Sequence, residues 1–204
     1  MTGKIRISPS EAESFAFTSE NLEKAQQIIA RYPAGKHQSA VMPLLTLAQK
    51  QNANYLSKAA MDAVAHMLGM APVRVYEVAS FYTMYNLEPV GRHMIEVCTT
   101  TPCWLRGSDA ILAACEKKLG IKVGETTPEG RFTLREAECL GACVNAPMCQ
   151  VGEHFYEDLT PESISKLIDM LALEQEPKPG PQNGRHSSEP ANFSAEQERG
   201  TGDA

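Results

Sequence analysis

Apolar positions recur at helical spacing through the first part of the chain and then switch to strand-like alternation. Leu22, Ala25, Ile28 and Ile29 form one stripe, preceded by Thr18 and Ser19, either of which can cap a helix. Arg31-Tyr-Pro-Ala-Gly35 stops it. The spacing predicts a second helix from near Ser39, with Val41, Leu44, Leu45 and Ala48 on one face. Ser57 caps a third, which carries Met61, Val64, Met67 and Leu68. Gly69 stands just past these positions, where a helix can end in the left-handed conformation. Pro72 suits the first turn of a fourth helix with Val75, Tyr76 and Val78. Short helices on short connections predict a small bundle over residues 18–88, after an N-terminal segment of residues 1–17.

From residue 89 the period changes. His93-Met-Ile-Glu-Val-Cys98 reads as a strand, and Ser108 to Leu119 as a helix closed by Gly120. Arg131-Phe-Thr-Leu-Arg135 alternates as a half-buried strand does, and His154-Phe-Tyr156 is another strand candidate. Thr160 caps a last helix with Pro161 in its first turn; Ile164, Leu167, Ile168 and Leu171 give its buried face. Residues 89–173 thus predict an α/β sandwich, and the whole chain an α+β protein, although periodicity alone does not select the topology. Residues 174–204 are rich in Pro, Gly, Glu, Gln and Ser, with Phe193 the single aromatic ring. Such a stretch buries too little apolar surface to order itself, so it is expected to be a disordered tail whose removal after Leu173 spares the rest.

The composition narrows the chemistry. A net charge of −6 speaks against nucleic acid as a partner. No signal-peptide core opens the sequence and no apolar run is long enough to span a bilayer, so no direct membrane insertion is expected. A chain kept in a reducing compartment uses its six cysteines for metal rather than for a disulfide framework. The sequence has no glycine-rich dinucleotide fingerprint, no P-loop and no evident acid–base pair, so no catalytic residue is assigned.

Four of the cysteines form two tight pairs: Cys98-Thr-Thr-Thr-Pro-Cys103 and, after 35 residues, Cys139-Leu-Gly-Ala-Cys143. Four thiolates, two on each iron, are what a 2Fe–2S cluster needs. Zinc also takes four cysteines, but its structural sites favour the shorter C-x2-C knuckle. A thiol–disulfide catalyst would want C-x-x-C, which the chain lacks, and scattered histidines argue against a Rieske site. Thr99, Thr100, Thr101, Gly141 and Ala142 can turn N–H groups toward sulfur, and Arg106 and Arg135 are the nearest cations in sequence. Trp104 is a candidate shield for the cluster or an ordinary core or interface residue. Cys115 falls on the apolar face of its helix and reads as a small hydrophobe. Cys149 follows Ala146-Pro147-Met148 closely enough to compete with Cys143, and spacing leaves that choice open.

Together with Glu138-Cys-Leu-Gly-Ala-Cys143, Ala146-Pro147 and the upstream run Val75-Tyr-Glu-Val-Ala-Ser-Phe-Tyr-Thr-Met-Tyr85, the first pair resembles the 24 kDa subunit family of NADH-quinone oxidoreductase, respiratory complex I. The resemblance covers roughly residues 18–173. It implies a helical bundle followed by a thioredoxin-like domain with one 2Fe–2S cluster on Cys98, Cys103, Cys139 and Cys143. It further implies a partner flavoprotein subunit that binds FMN and NADH and exchanges electrons with this cluster. The location it implies is peripheral to the inner membrane, cytoplasmic in a bacterium or on the matrix side in a mitochondrion; the absence of a transit-like start favours the former. Similar chains serve soluble NAD-linked hydrogenases and formate dehydrogenases, and a free ferredoxin-like carrier is a further alternative.

Overall fold

The computed structural model describes residues 14–190; the first thirteen residues of the expected N-terminal segment and the last fourteen of the expected tail lie outside the described residues. The chain divides into two compact units, Met1–Val90 and Gly91–Ala204.

The first unit is built from α1 (Ser19–Ile29), α2 (Val41–Gln51), α3 (Lys58–Leu68) and α4 (Pro72–Phe81), with a 3-10 turn at His37–Ala40 leading into α2. The side chain of Thr18 accepts the Asn21 N–H, and that of Ser57 accepts the Ala60 N–H at 3.2 Å, so two helix starts are capped as their sequence predicts. Gly69 closes α3 at φ +62°, where any other residue pays a backbone penalty. Leu44, Leu45, Met61, Val64 and Val75 meet in the interior, each worth roughly 1.5–3 kcal/mol of burial. The segment after α4 folds back onto this core by polar contacts. Tyr85 donates its hydroxyl to the Met42 carbonyl at 2.9 Å. Buried Asn86 donates to the Asn54 carbonyl, while its N–H meets Gln49 Oε1 and its carbonyl accepts the Leu56 N–H.

The second unit contains β1 (His93–Cys98), α5 (Thr101–Leu105), α6 (Ser108–Leu119), β2 (Phe132–Ala137), β3 (Cys149–Val151), β4 (His154–Glu157), α7 (Pro161–Ala172) and β5 (Gly180–Pro181). Its five-stranded sheet has the order β2-β1-β3-β4-β5. β1 and β2 are parallel, and the crossover that parallel pairing demands carries α5 and α6. β3 runs antiparallel to β1 and to β4; the two-residue turn Gly152-Glu153 joins β3 to β4, with Gly152 at φ +60°. β5 adds in parallel beside β4.

Strand alternation sorts the side chains. Ile95 and Val97 of β1, Phe132 and Leu134 of β2, Cys149 and Val151 of β3, and Tyr156 of β4 share one core with Ile111 and Cys115 of α6 and with Ile164, Leu167, Ile168 and Leu171 of α7. Thr160 caps α7, its side chain accepting the Ser163 N–H while Ser163 Oγ accepts the Thr160 N–H.

Three short elements go beyond the sequence expectation: α5, β3 and β5. β2 also runs on to Ala137 instead of stopping near Arg135. The sequence reading ends the folded region at Leu173, but the chain continues packed on the sheet, through β5 and on to an ion pair between Arg185 and Asp158. The reason is that backbone pairing and polar contacts order this stretch, and a count of apolar residues does not register them.

Gly91 is required by proximity rather than by φ. A Cβ there would lie 2.6 Å from the Phe132 carbonyl carbon, and its N–H already donates to Thr133 Oγ1 at 2.7 Å. Gly91→Ala is expected to destabilise this unit by roughly 1–3 kcal/mol through overpacking. Chemical denaturation checks this, and an unchanged midpoint would refute the close approach.

Candidate metal centre

β1 ends on Cys98, one step past Val97 and therefore on the face opposite the α6/α7 core. There it joins Cys103, Ala146 and Met148 in a separate small cluster, and both cysteines are buried. α5 makes this possible: Pro102 suits its first turn, and within five residues it brings Cys103 back to Cys98. The Cys98 thiol donates to Thr100 Oγ1 at 3.7 Å.

The second pair lies on the loop that leaves β2. Cys139 and Cys143 are exposed, with their sulfurs 3.6 Å apart. Gly141 lies between them at φ +87°, the left-handed conformation that lets the loop wrap tightly. Cys143 opens a 3-10 turn, Cys143–Asn145, and the cis peptide Ala146–Pro147 follows before Met148 and β3.

Backbone bonds tie the start of the first loop to its neighbours: Cys98 N–H donates to the Met148 carbonyl and Thr99 N–H to the Ala137 carbonyl, both at 3.2 Å. Burial pushes the Cys98 thiol up, but hydrogen bonds from the Leu140 and Thr100 backbone, with contacts from Cys103 and the Thr100 side chain, outweigh it and hold the group below its ordinary value. Cys103 is pushed up to about 12, by burial first and then by Cys98, with Cys143 adding to the rise and the Met148 backbone opposing it. Cys143 is raised by Cys139, by burial and by Cys98. Each pair thus feels the other. Thiols in this relation repel once ionised, and bound metal cations relieve that repulsion as the protons leave.

This donor set fits a two-iron cluster. It offers four thiols as two pairs, one buried and one exposed. Among the described residues no three His, Cys, Asp or Glu side chains converge closely enough to hold a single ion.

Cys149 lies apart from the two cysteine pairs. Cys149 is fully buried on β3, in register with Val97 and Tyr156, on the helix-covered face beside Cys115. Burial and the neighbouring Cys115 push its thiol up, and burial pushes Cys115 up to about 12. Trp104 is 56% exposed and donates Nε1–H to Asp109, so it does not shield the site as a core residue would. With Leu105 and Val144, both about 70% exposed, it leaves apolar surface next to one cysteine of each pair. Arg106 reaches the Ala146 carbonyl at 3.5 Å, and Arg135 faces Glu96 across β1 and β2. Burial raises the Glu96 carboxyl and Arg135 opposes that rise. Of the backbone donors expected from sequence, Thr99 gives its N–H to the Ala137 carbonyl at 3.2 Å.

Fold and site together define a class: a thioredoxin-like domain that carries two cysteine pairs, one buried at the end of β1 and one exposed on the loop after β2. The family model described as thioredoxin-like 2Fe-2S ferredoxin matches residues 25–172. The chain is 54% identical over 179 residues to the mitochondrial NADH dehydrogenase (ubiquinone) flavoprotein 2 of Dictyostelium discoideum, covering 88% of this chain and 72% of that one. It is 56% identical over 158 residues to the E subunit of NADH-quinone oxidoreductase from Rickettsia conorii, covering 78% and 95% respectively. A chain of a NAD+-reducing NiFe-hydrogenase in its air-oxidised state shares the fold, with a TM-score of 0.57 at 21% identity; 64% of this chain and 23% of that chain are aligned. The chain belongs to the thioredoxin-like 2Fe-2S ferredoxin family, among its NADH-quinone oxidoreductase members, and carries one 2Fe–2S cluster.

The pleat sets a test for the leftover cysteines. Cys149→Ser is expected to keep the cluster spectrum while costing about 1–3 kcal/mol for an unpartnered buried hydroxyl. Visible absorption and denaturant melting check the two halves, and loss of the cluster in a folded variant would return Cys149 to the ligand set.

Proposed function

We propose that this chain is the electron-transfer subunit of an NADH:quinone oxidoreductase, and that Cys98, Cys103, Cys139 and Cys143 hold its cluster. The carrying observation is the arrangement of these cysteines as two close pairs, Cys98 and Cys103 buried in one small cluster and Cys139 and Cys143 exposed with their sulfurs 3.6 Å apart. When bound, the cluster supplies a one-electron store. The protein's part is electrostatic and geometric. The N–H groups of Thr100, Leu140 and Met148 offset negative charge on sulfur, and burial of the first pair keeps water from that side. Exposure of the second pair leaves an edge open to a redox partner.

The partner in this reading is a flavoprotein subunit that binds FMN and NADH; the relatives are named as parts of an NADH dehydrogenase and an NADH-quinone oxidoreductase, which have further subunits. The apolar surface of Trp104, Leu105 and Val144 beside the ligands is suited to a contact with that partner. No helix among the described residues is long and apolar enough to cross a membrane, so membrane association in this reading comes through the assembled complex, on the cytoplasmic or matrix side.

The purified chain is expected to hold about two iron and two acid-labile sulfide and to give a spin resonance signal on reduction. Cys139→Ser removes or weakens that signal, while Cys115→Ser retains it. A colourless protein containing zinc and no sulfide would overturn the reading. Co-purification from native extract with an FMN-containing partner tests the assembly; elution of the loaded chain alone would count against it.

A further inference from the structure

We propose that Arg185 is a positioning residue for the second cysteine pair: its guanidinium fastens the turn that carries Cys143 to the sheet. The inference rests on Cys143 being a ligand. After α7 the chain passes through β5, and Arg185 then meets Asp158 just beyond β4. Both side chains are only 11% exposed. Nε donates to Asp158 Oδ2 at 3.0 Å and Nη2 to Oδ1 at 2.8 Å, a two-pronged contact. Nη2 also donates to the Val144 carbonyl at 3.1 Å and to Asn145 Oδ1 at 2.9 Å, and Nη1 to the Glu189 carbonyl at 3.0 Å.

Val144 and Asn145 directly follow Cys143. Asn145 is buried and tied down at every polar atom. Its side-chain amide donates to Glu157 Oε2 and to the Ser187 carbonyl, and its own carbonyl accepts the Asp158 N–H at 2.8 Å. Within the turn itself the backbone bonds are Asn145 N–H to the Ala142 carbonyl and Ala146 N–H to the Cys143 carbonyl, at 3.0 and 3.3 Å. The exposed second pair therefore owes much of its placement to the strap of residues 185–189. A guanidinium suits this task because its planar fork spans both Asp158 oxygens and the neighbouring carbonyl at once. A lysine ammonium keeps the charge but gathers its donors at one point. Outer-shell groups of this kind commonly govern metal retention by about 10- to 100-fold. The consequence reverses the sequence expectation that truncation after Leu173 spares the site.

The test uses the full chain loaded with its cluster. Loss of visible absorption is followed under excess ferrous chelator, and protection of Cys115 and Cys149 from alkylation serves as the measure of an intact core. Arg185→Leu and Arg185→Lys should both release iron about 10- to 100-fold faster, with Cys115 and Cys149 still protected. Asp158→Asn, which keeps one acceptor and the side-chain shape, should fall between them and the unaltered chain, and covers the case in which Arg185→Leu does not fold. Release at the unaltered rate in Arg185→Lys and Asp158→Asn overturns the proposal. So does faster release accompanied by alkylation of Cys115 and Cys149, which signals general unfolding. Cys143→Ser separates the two readings. If it keeps an unaltered spectrum, the ligand assignment fails; if it loses the cluster while the Arg185 variants hold theirs normally, the positioning role fails alone.

Discussion

A β-strand sends successive side chains to opposite faces, and this two-residue period divides the cysteines of the second unit into two populations. Val97 points into the core covered by α6 and α7, so Cys98, one residue on, points out of it. The antiparallel register of β3 sets Cys149 opposite Val97, which commits that thiol to packing with Cys115. A slip of one residue in that pairing would exchange the roles. Everything at the metal centre follows from this: a sheet face free of the main core, a first pair anchored at the end of β1, and a second loop folded against it.

The anchoring is unequal. Cys98 and Cys103 lie in β1 and α5 and are buried, whereas Cys139 lies in the loop after β2, Cys143 opens a 3-10 turn, and both are exposed. Within the equally buried first pair it is hydrogen bonding, not burial, that splits the thiols: burial raises both, but hydrogen bonds hold Cys98 below its ordinary value while Cys103 is pushed up.

Much of this was legible in sequence where one residue does one local job. Thr18, Ser57 and Thr160 announce helix starts, Gly69 and Gly120 announce ends, and the stripe Ile164, Leu167, Ile168, Leu171 announces a buried face. The two cysteine pairs were visible by spacing. Elements of two to five residues were not: α5, β3 and β5 are too short to show a period and are held by tertiary pairing. Cys149 looked like a rival ligand because sequence distance to Cys143 is short, whereas parity within β3 is a property of the assembled sheet. Arg185 was hidden for a different reason. It lies in a polar stretch without apolar residues to mark it, and its partners Asp158 and Asn145 stand 27 and 40 residues away.

The contrast between a buried pair and an exposed pair also gives the site a direction. Anything that approaches from solvent reaches Cys139 and Cys143 before Cys98 and Cys103, so the two pairs differ in accessibility as well as in position.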